Sequence, residues 1–109
     1  MIFLILKKAD EKTLKRAAED HDGYIKVVVD VEKNILAAGG KRHVEGEELL
    51  LKNGSKQDNL WGGGLDLETK EIDFDSMINI RPSLGNSSRE VLSQDLRQKM
   101  EKIIKELLM

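Results

Sequence analysis

The stretch YIKVVVDVEKNILAA, residues 24–38, decides the fold of this chain. Ile25 and Val27 belong to an apolar alternation that is typical of a strand with one buried face. Glu32-Lys33-Asn34 predicts a short turn, and Ile35 to Ala38 predicts the strand that follows it. We therefore expect these two strands to form an antiparallel hairpin.

Upstream of this hairpin the sequence predicts one strand and one helix. Ile2 to Leu6 is an apolar run of strand length. Asp10 is typical of a helix cap, and Gly23 is typical of the end of a helix. The helix between them repeats side chains at the spacing of one helical face, namely Leu14, Ala17, Ala18 and His21.

Downstream of the hairpin we expect further strands. Glu47 to Lys52 is predicted as a strand, and Asn53-Gly54 is the strongest two-residue hairpin signal in the chain. A further hairpin is expected around the four-residue loop Glu68–Glu71. Its register is set by Leu67 opposite Ile72, because opposed residues share a face of the sheet. This register gathers the apolar residues Trp61, Leu65, Leu67, Ile72, Phe74 and Ile78 on one face.

A second helix is expected after Ser93, which is typical of a cap with Asp95 in the first turn. Its apolar stripe consists of Leu96, Met100, Ile103, Ile104, Leu107 and Leu108. These elements predict an α+β domain: a curved, mainly antiparallel sheet of about six or seven strands with two helices packed on one face. The other face of the sheet is then expected to be open.

Length and composition narrow the class of protein. The chain has 109 residues, which corresponds to a single domain over residues 1–109. Its formal net charge of -2 argues against nucleic-acid binding. The absence of cysteine excludes disulfides and favours a reducing compartment, so we expect a cytoplasmic protein. The apolar run at residues 1–6 is far shorter than the ~20 residues that cross a bilayer, and no membrane association is expected.

Three segments resemble the signature segments of a small uncharacterised family of bacterial and archaeal proteins, a domain of unknown function. They are KVVVDVEKNILAAGGKRH, ELLLKNGSKQDNLWG and IDFDSMINIRPSLGNSSR. The resemblance covers nearly the whole chain. It implies a compact single-domain protein from a prokaryote, and it implies no activity and no cofactor.

The loop sequence MINIRPSLGNSSR, residues 77–89, is the main candidate for a functional site. Pro82 ends the preceding strand because it lacks the N–H that a ladder needs. Gly85 and Asn86 tolerate positive φ, so backbone N–H groups and arginine side chains could converge on a phosphate or carboxylate. The predicted ligand-binding residues are Asp58, Asn59, Asp75, Asn79, Arg81, Ser83, Asn86, Ser87 and Arg89.

The same loop also fits a purely structural interpretation. Asn86 would then form a turn, and Ser87 to Glu90 would be a capping box. Arg81 would pair with Asp58, and Arg89 would be solvated. The sequence leaves both interpretations open and slightly favours the structural one.

Two further groups of residues could carry chemistry. Asp66, Asp73 and Asp75 fall on one face of the predicted hairpin and could hold Mg²⁺ or Ca²⁺, although solvated aspartates are more typical there and no metal is expected. His43 lies near several glutamates and could act as a general base, although a loop histidine is more often simply exposed.

Neither glycine-rich motif matches a nucleotide-binding loop. Gly39-Gly40-Lys41 is followed by Arg42, where a phosphate loop has Ser or Thr, and no helix is expected there. Gly62-Gly63-Gly64 is expected to bend a strand or to admit the close approach of another backbone or a ligand. Trp61 is expected to pack in the core.

Two functions remain open at this point. One is a domain that binds or acts on a small anionic ligand at the loop after Arg81. The other is a non-enzymatic, homodimeric interaction module that uses the open sheet face or an exposed edge strand. The sequence does not decide whether the protein is an enzyme.

Overall fold

The hairpin predicted from residues 24–38 is present and forms the centre of the sheet. In this computed structural model, which describes residues 1–109, Val27 lies opposite Ala38. The carboxylate of Asp30 accepts the backbone N–H groups of Glu32 and Lys33, each at 2.9 Å, and so fixes the turn. Local side-chain hydrogen bonds of this kind are what make aspartate a turn residue.

Five antiparallel strands make one sheet in the order β1-β3-β2-β4-β5, which differs from the six or seven strands expected. Three α-helices pack on it, one more than predicted. The strands are β1 Ile2–Ile5, β2 Tyr24–Asp30, β3 Ile35–Gly39, β4 Leu60–Asp66 and β5 Ile72–Asp73, and the helices are α1 Glu11–Ala17, α2 His43–Lys52 and α3 Gln94–Leu108. The α+β class with an antiparallel sheet is thus confirmed.

One face of the sheet packs on α1 and α3, as predicted. Asp10 caps α1 through the Thr13 N–H, and Ser93 caps α3 through the Leu96 N–H. The larger core cluster contains the predicted helix faces together with the inward side chains of the sheet, including Ile25, Val27, Val29, Trp61, Met100 and Ile104. Trp61 is buried in this cluster, as expected from its place in the alternation.

The other face of the sheet is covered by α2, so the prediction of an open face was wrong. Residues 47–52, predicted as a strand, are the second half of this helix, and Asn53-Gly54 ends it instead of turning a hairpin. The residues that contact the sheet recur at helical spacing, but Leu50 is the only large apolar side chain of α2 that is fully buried there, with Leu49 partly buried beside it. Gly46 allows a close approach, since a Cβ there would lie 2.9 Å from Val28 Cγ2.

The second predicted hairpin is shorter than expected and shifted in register. Leu65 lies opposite Ile72, where the prediction placed Leu67, although the shift of two residues leaves the side chains on the predicted faces. β5 has only two residues, and the chain beyond Asp73 leaves the sheet. Ile78, expected beside Trp61, instead packs against the smaller cluster under α2.

None of the three helices combines the length and the apolar character that crossing a membrane requires.

Candidate functional site

The connection between β5 and α3 is held together from within by two buried asparagines. Asn79 lies at the edge of β4, where its Oδ1 accepts the Gly62 N–H at 2.8 Å and its Nδ2 donates to the Gly62 carbonyl at 2.9 Å. The same Nδ2 also donates to the carbonyls of Phe74 and Arg89. Asn79 therefore continues the sheet through its side chain.

Asn86 closes the same connection from the other side. Its Nδ2 donates to the carbonyls of Asn79, Ser88 and Glu90. Its Oδ1 accepts the N–H of Leu92 at 2.9 Å. With donor and acceptor both used inside the protein, this amide has no group left for a ligand. The predicted capping box from Ser87 to Glu90 does not form, because Ser88 accepts the Glu90 N–H instead.

Arg81 points toward α2. Its Nη2 lies 3.3 Å from Oε2 of Glu47, and its guanidinium carbon lies 5.0 Å from the centroid of the Trp61 ring. Burial lowers the pKa of Arg81, and the nearby carboxylates of Glu47 and Asp58 oppose that shift. The ion pair with Asp58 suggested by the sequence is replaced by the pair with Glu47, a residue that reaches Arg81 only because residues 43–52 are helical.

Four other predicted residues make no hydrogen bond or ion pair with Arg81 or Arg89, although the Asp58 carboxylate lies near Arg81. Ser83 and Ser87 are exposed and make no side-chain hydrogen bond. Asp58 and Asn59 line a separate depression of about 600 Å³. Its wall mixes both signs of charge and consists of Glu32, Lys33, Gly54, Lys56, Gln57, Asp58 and Asn59. The structure therefore does not bring all the predicted residues into one site.

Arg89 lines a cleft in which cationic side chains converge. Its Nε lies 3.0 Å from Oδ1 of Asp75, and the pair is exposed. The cleft has a volume of about 220 Å³ and lies between the first turn of α2 and residues 76–77. Its wall contains no carboxylate and consists of Lys26, Arg42, His43, Val44, Ser76, Met77 and Arg89.

Two of these cations differ from Arg89 in having no carboxylate within salt-bridge distance. Lys26 lies half-buried on β2, and Arg42 lies exposed directly before α2. Neither takes part in an ion pair of the chain. The carboxylate at this end of α2, Glu45, accepts the backbone N–H groups of Lys41 and Arg42 at 2.8 and 2.9 Å. The cleft is thus a region of positive charge on a chain whose net charge is -2.

His43 is the titratable group at the back of the cleft. Its Nε2 lies 2.7 Å from the carbonyl oxygen of Gly63 on β4. Burial lowers the pKa of His43, Lys26 adds to this effect, and the hydrogen bond to Gly63 opposes it, as do Asp73 and Asp75. The ring is therefore held neutral over a wider pH range than that of a free histidine.

The glycine run of β4 creates the room behind the cleft. A Cβ on Gly62 would overlap Ser76, and a Cβ on Gly64 would overlap the hydroxyl of Tyr24. That hydroxyl donates to Oδ2 of Asp73 at 2.6 Å, and burial together with this bond raises the pKa of Tyr24. A Cβ on Gly63 would overlap the carbonyl oxygen of Asp73, so the prediction that this run admits the close approach of another backbone is confirmed.

The three aspartates considered as metal ligands have separate partners. Asp66 accepts backbone N–H groups of the β4–β5 turn, Asp73 binds Tyr24, and Asp75 binds Arg89. No group of three His, Cys, Asp or Glu side chains is arranged to hold a metal ion.

A family described as a protein of unknown function, DUF5674, matches residues 3–107 of the chain. The chain belongs to the DUF5674 family. No curated protein and no solved structure matches it. The resemblance noted from the sequence is thus confirmed as far as a family of unknown function, while its prokaryotic origin stays a prediction.

In this DUF5674 domain the sequence reasoning missed Lys26, Arg42 and Ser76 as site residues, and considered His43 only as a loop residue. A signal was present. His43, Gly46, Glu47 and Leu50 recur at i, i+3, i+4 and i+7, the spacing of a helix face. A helix beginning at His43 would have brought Arg42 and His43 against the face of the strand at residues 24–31 that carries Lys26.

Proposed function

We propose that this protein binds a small anionic ligand, bearing a phosphate or carboxylate group, in the cleft formed by Lys26, Arg42, His43 and Arg89. The observation that supports this proposal is the convergence of three cationic side chains on a cleft whose wall holds no carboxylate. Of these cations, only Arg89 has an acidic partner. Lys26 and Arg42 are therefore free to pair with an anion from outside the chain.

The chemistry of the wall suits such a ligand. Arginine binds phosphate or carboxylate through two parallel hydrogen bonds, and lysine adds a compact charge. The positive end of the α2 dipole also favours a negative group at this position. A volume of about 220 Å³ suits a small ion or metabolite, and the exposed side chains of Val44 and Met77 supply an apolar rim.

This site keeps one element of the sequence-based prediction and replaces the rest. Arg89 belongs to the cleft, whereas Asn79, Arg81 and Asn86 hold the connection between β5 and α3 together. Ser83 and Ser87 distinguish the loop site predicted from the sequence from the cleft, because they belong only to the loop site. If the ligand is bound in the cleft, replacing either serine with alanine leaves its affinity unchanged.

Isothermal titration calorimetry with inorganic phosphate, and with a dicarboxylate for comparison, tests the proposal. Arg42→Gln removes a guanidinium that has no partner in the chain, so the fold is retained while the affinity is expected to fall about tenfold, or ~1.4 kcal/mol. Lys12→Gln, an equal change of charge on exposed α1, is the matched control and is expected to bind normally. Equal affinities of the two variants would contradict the proposal.

A second candidate function is homodimer formation through β1. β1 is the terminal strand of the sheet, and its outer edge faces no other strand. Such edges pair readily with a second chain. Leu6, next to this edge, is 63% exposed. Light scattering after size exclusion would give a dimeric mass that Leu6→Lys lowers, whereas a monomeric mass at all concentrations would exclude this candidate.

A further inference from the structure

The two nitrogens of the His43 ring are in different environments. A carbonyl oxygen only accepts hydrogen bonds, so the contact with Gly63 requires the proton to be on Nε2. The lone pair of the neutral ring is therefore on Nδ1. Nδ1 has no hydrogen-bond partner. Among the buried side-chain nitrogens and oxygens, Nη1 of Arg81 is the only one without a partner, so Nδ1 of His43 does not belong to the buried atoms. This nitrogen is thus not sealed inside the protein.

An open imidazole lone pair is a nucleophile, and its neighbours favour one class of reaction partner. Lys26, Arg42 and Arg89 line the same cleft. The carboxylates nearby are already engaged, since Asp73 accepts from Tyr24 and Asp75 accepts from Arg89. A phosphoryl group that reaches the cleft would meet these three cations in the wall that also contains His43.

We propose that His43 is a phosphoryl-acceptor residue, which takes a phosphoryl group on Nδ1 from a small donor of the phosphoramidate class. This inference rests on the proposed binding of anions by the cleft. It adds a covalent step to that binding and names the atom on which the step occurs.

The step balances without a further reactant. The lone pair of Nδ1 forms a bond to phosphorus while the phosphorus–nitrogen bond of N-protonated phosphoramidate, ⁺H₃N–PO₃²⁻, breaks. The electron pair of that bond stays on nitrogen, which leaves as ammonia with the three protons it already carries. Nε2 keeps its proton and its hydrogen bond to Gly63. The ring consequently becomes positively charged beside the dianionic phosphoryl group, so the net charge is conserved. Lys26, Arg42 and Arg89 offset the negative charge that the phosphoryl group brings.

His21 provides an internal control for this reaction. It is the only other histidine of the chain, it is also partly buried, and its Nε2 lies 2.9 Å from the carbonyl oxygen of Lys41. Its Nδ1 therefore carries the lone pair as well, and its contact is more exposed than that of His43. His21 does not line the cationic cleft. A difference in reactivity between the two histidines thus reports the effect of the cleft.

The test is to incubate the full chain with phosphoramidate at neutral pH and to follow the product by ³¹P NMR and by peptide mass spectrometry without acid. We expect His43 to be labelled on Nδ1 about tenfold or more faster than His21, and Arg42→Gln to slow this labelling by about the same factor. His43→Gln keeps a donor for the Gly63 carbonyl but lacks the imidazole, so no label is expected at this position. His21→Gln leaves labelling of His43 unchanged.

Equal labelling of the two histidines, labelling of His43 on Nε2, or no label on His43 would each overturn the inference. Calorimetry with inorganic phosphate on the same sample separates this failure from that of the proposed function. If phosphate binds but His43 is not labelled, only the phosphoryl-acceptor role is wrong. If phosphate does not bind and His43 reacts no faster than His21, both proposals are wrong.

Discussion

Asn79 shows how one side chain can take the place of a strand. β5 ends after Asp73, so the edge of β4 beyond this point has no backbone partner. The amide of Asn79 carries both a donor and an acceptor, as a peptide group does, and it binds the N–H and the carbonyl of Gly62. Buried backbone groups are costly to leave unpaired, so this position is restricted to a side chain that provides both.

Replacing Asn79 with alanine is expected to lower the free energy of unfolding by about 3 kcal/mol, because Gly62 loses two buried hydrogen bonds without access to water. Asn59→Ala is the control, since the Asn59 side chain makes no hydrogen bond, and we expect its cost to stay within about 0.5 kcal/mol. Urea unfolding followed by Trp61 fluorescence measures both variants. Similar losses in the two would contradict the structural role of Asn79.

His43 makes stability depend on pH in a defined direction. Its pKa is lowered on folding from an ordinary value of 6.5, so below that pH the unfolded chain binds more protons than the folded chain. The contribution of His43 to stability is therefore complete above pH 6.5 and is lost as the pH falls toward the folded pKa. The charged groups around the ring are Lys26, Asp73 and Asp75, together with Arg42 and Arg89 in the cleft.

We expect the wild type to lose stability relative to His43→Gln when the pH is lowered from about 7.5 to about 5.5. Glutamine keeps a donor for the Gly63 carbonyl but does not titrate. Urea unfolding at several pH values gives the difference in unfolding free energy between the two proteins. If this difference were independent of pH, the lowered pKa of His43 would be wrong.

The roles of individual polar residues were the least predictable part of the site. Arg81 and Arg89 occur in the same loop and look equivalent in the sequence. Arg81 is half-buried against Glu47 and Trp61, while Arg89 lines the cleft. Their partners come from elements distant in sequence, so no local pattern distinguishes them.

α2 is the element that determines both the second face of the sheet and the site. Its contact face was predicted as a strand because three successive leucines, at 49–51, give a local apolar run with no helical period. The helical period lies in His43, Gly46 and Glu47, which are not apolar. Gly46 lets the helix lie close to β2 and β3, and this proximity brings His43 within reach of β4.

Gly46→Val is therefore expected to destabilise the protein by about 1–3 kcal/mol, because its Cβ would be forced against Val28 in a packed core. Glu48→Val, at an exposed position of the same helix, is the control and is expected to cost at most about 0.7 kcal/mol through helix propensity. Thermal or urea unfolding distinguishes them. A Gly46→Val variant as stable as the control would show that α2 does not pack closely on the sheet.

The amphipathic elements were the most predictable. β2 and α3 have apolar side chains at the period of their own structure, β3 is a continuous apolar run of strand length, and Asp10 and Ser93 cap the helices where the sequence places them. Their burial follows from local pattern alone. β5 was predicted less well than these elements. The apolar alternation continues through residues 72–80, whereas the strand ends after Asp73 and the side chain of Asn79 pairs with the edge of β4 in its place.

The whole molecule is a sheet enclosed between helices, with α1 and α3 on one face and α2 on the other. The antiparallel α+β class could be predicted from the sequence. The helical layer on the second face could not, because α2 presents few apolar residues to the sheet. This layer turns an expected open face into a covered one and leaves a cleft at its edge. Charge follows the same arrangement: the chain as a whole is slightly acidic, whereas the cleft is basic.

The central claim is that this cleft binds an anion, and a titration of the ¹⁵N-labelled protein with inorganic phosphate, followed by ¹H–¹⁵N NMR, tests it most directly. We predict saturable shifts for the backbone amides around Arg42, His43 and Ser76, which Arg42→Gln weakens about tenfold. Shifts confined to Ser83–Ser87 would place the anion at the loop tip. That result, or the absence of any saturable shift, would contradict the account.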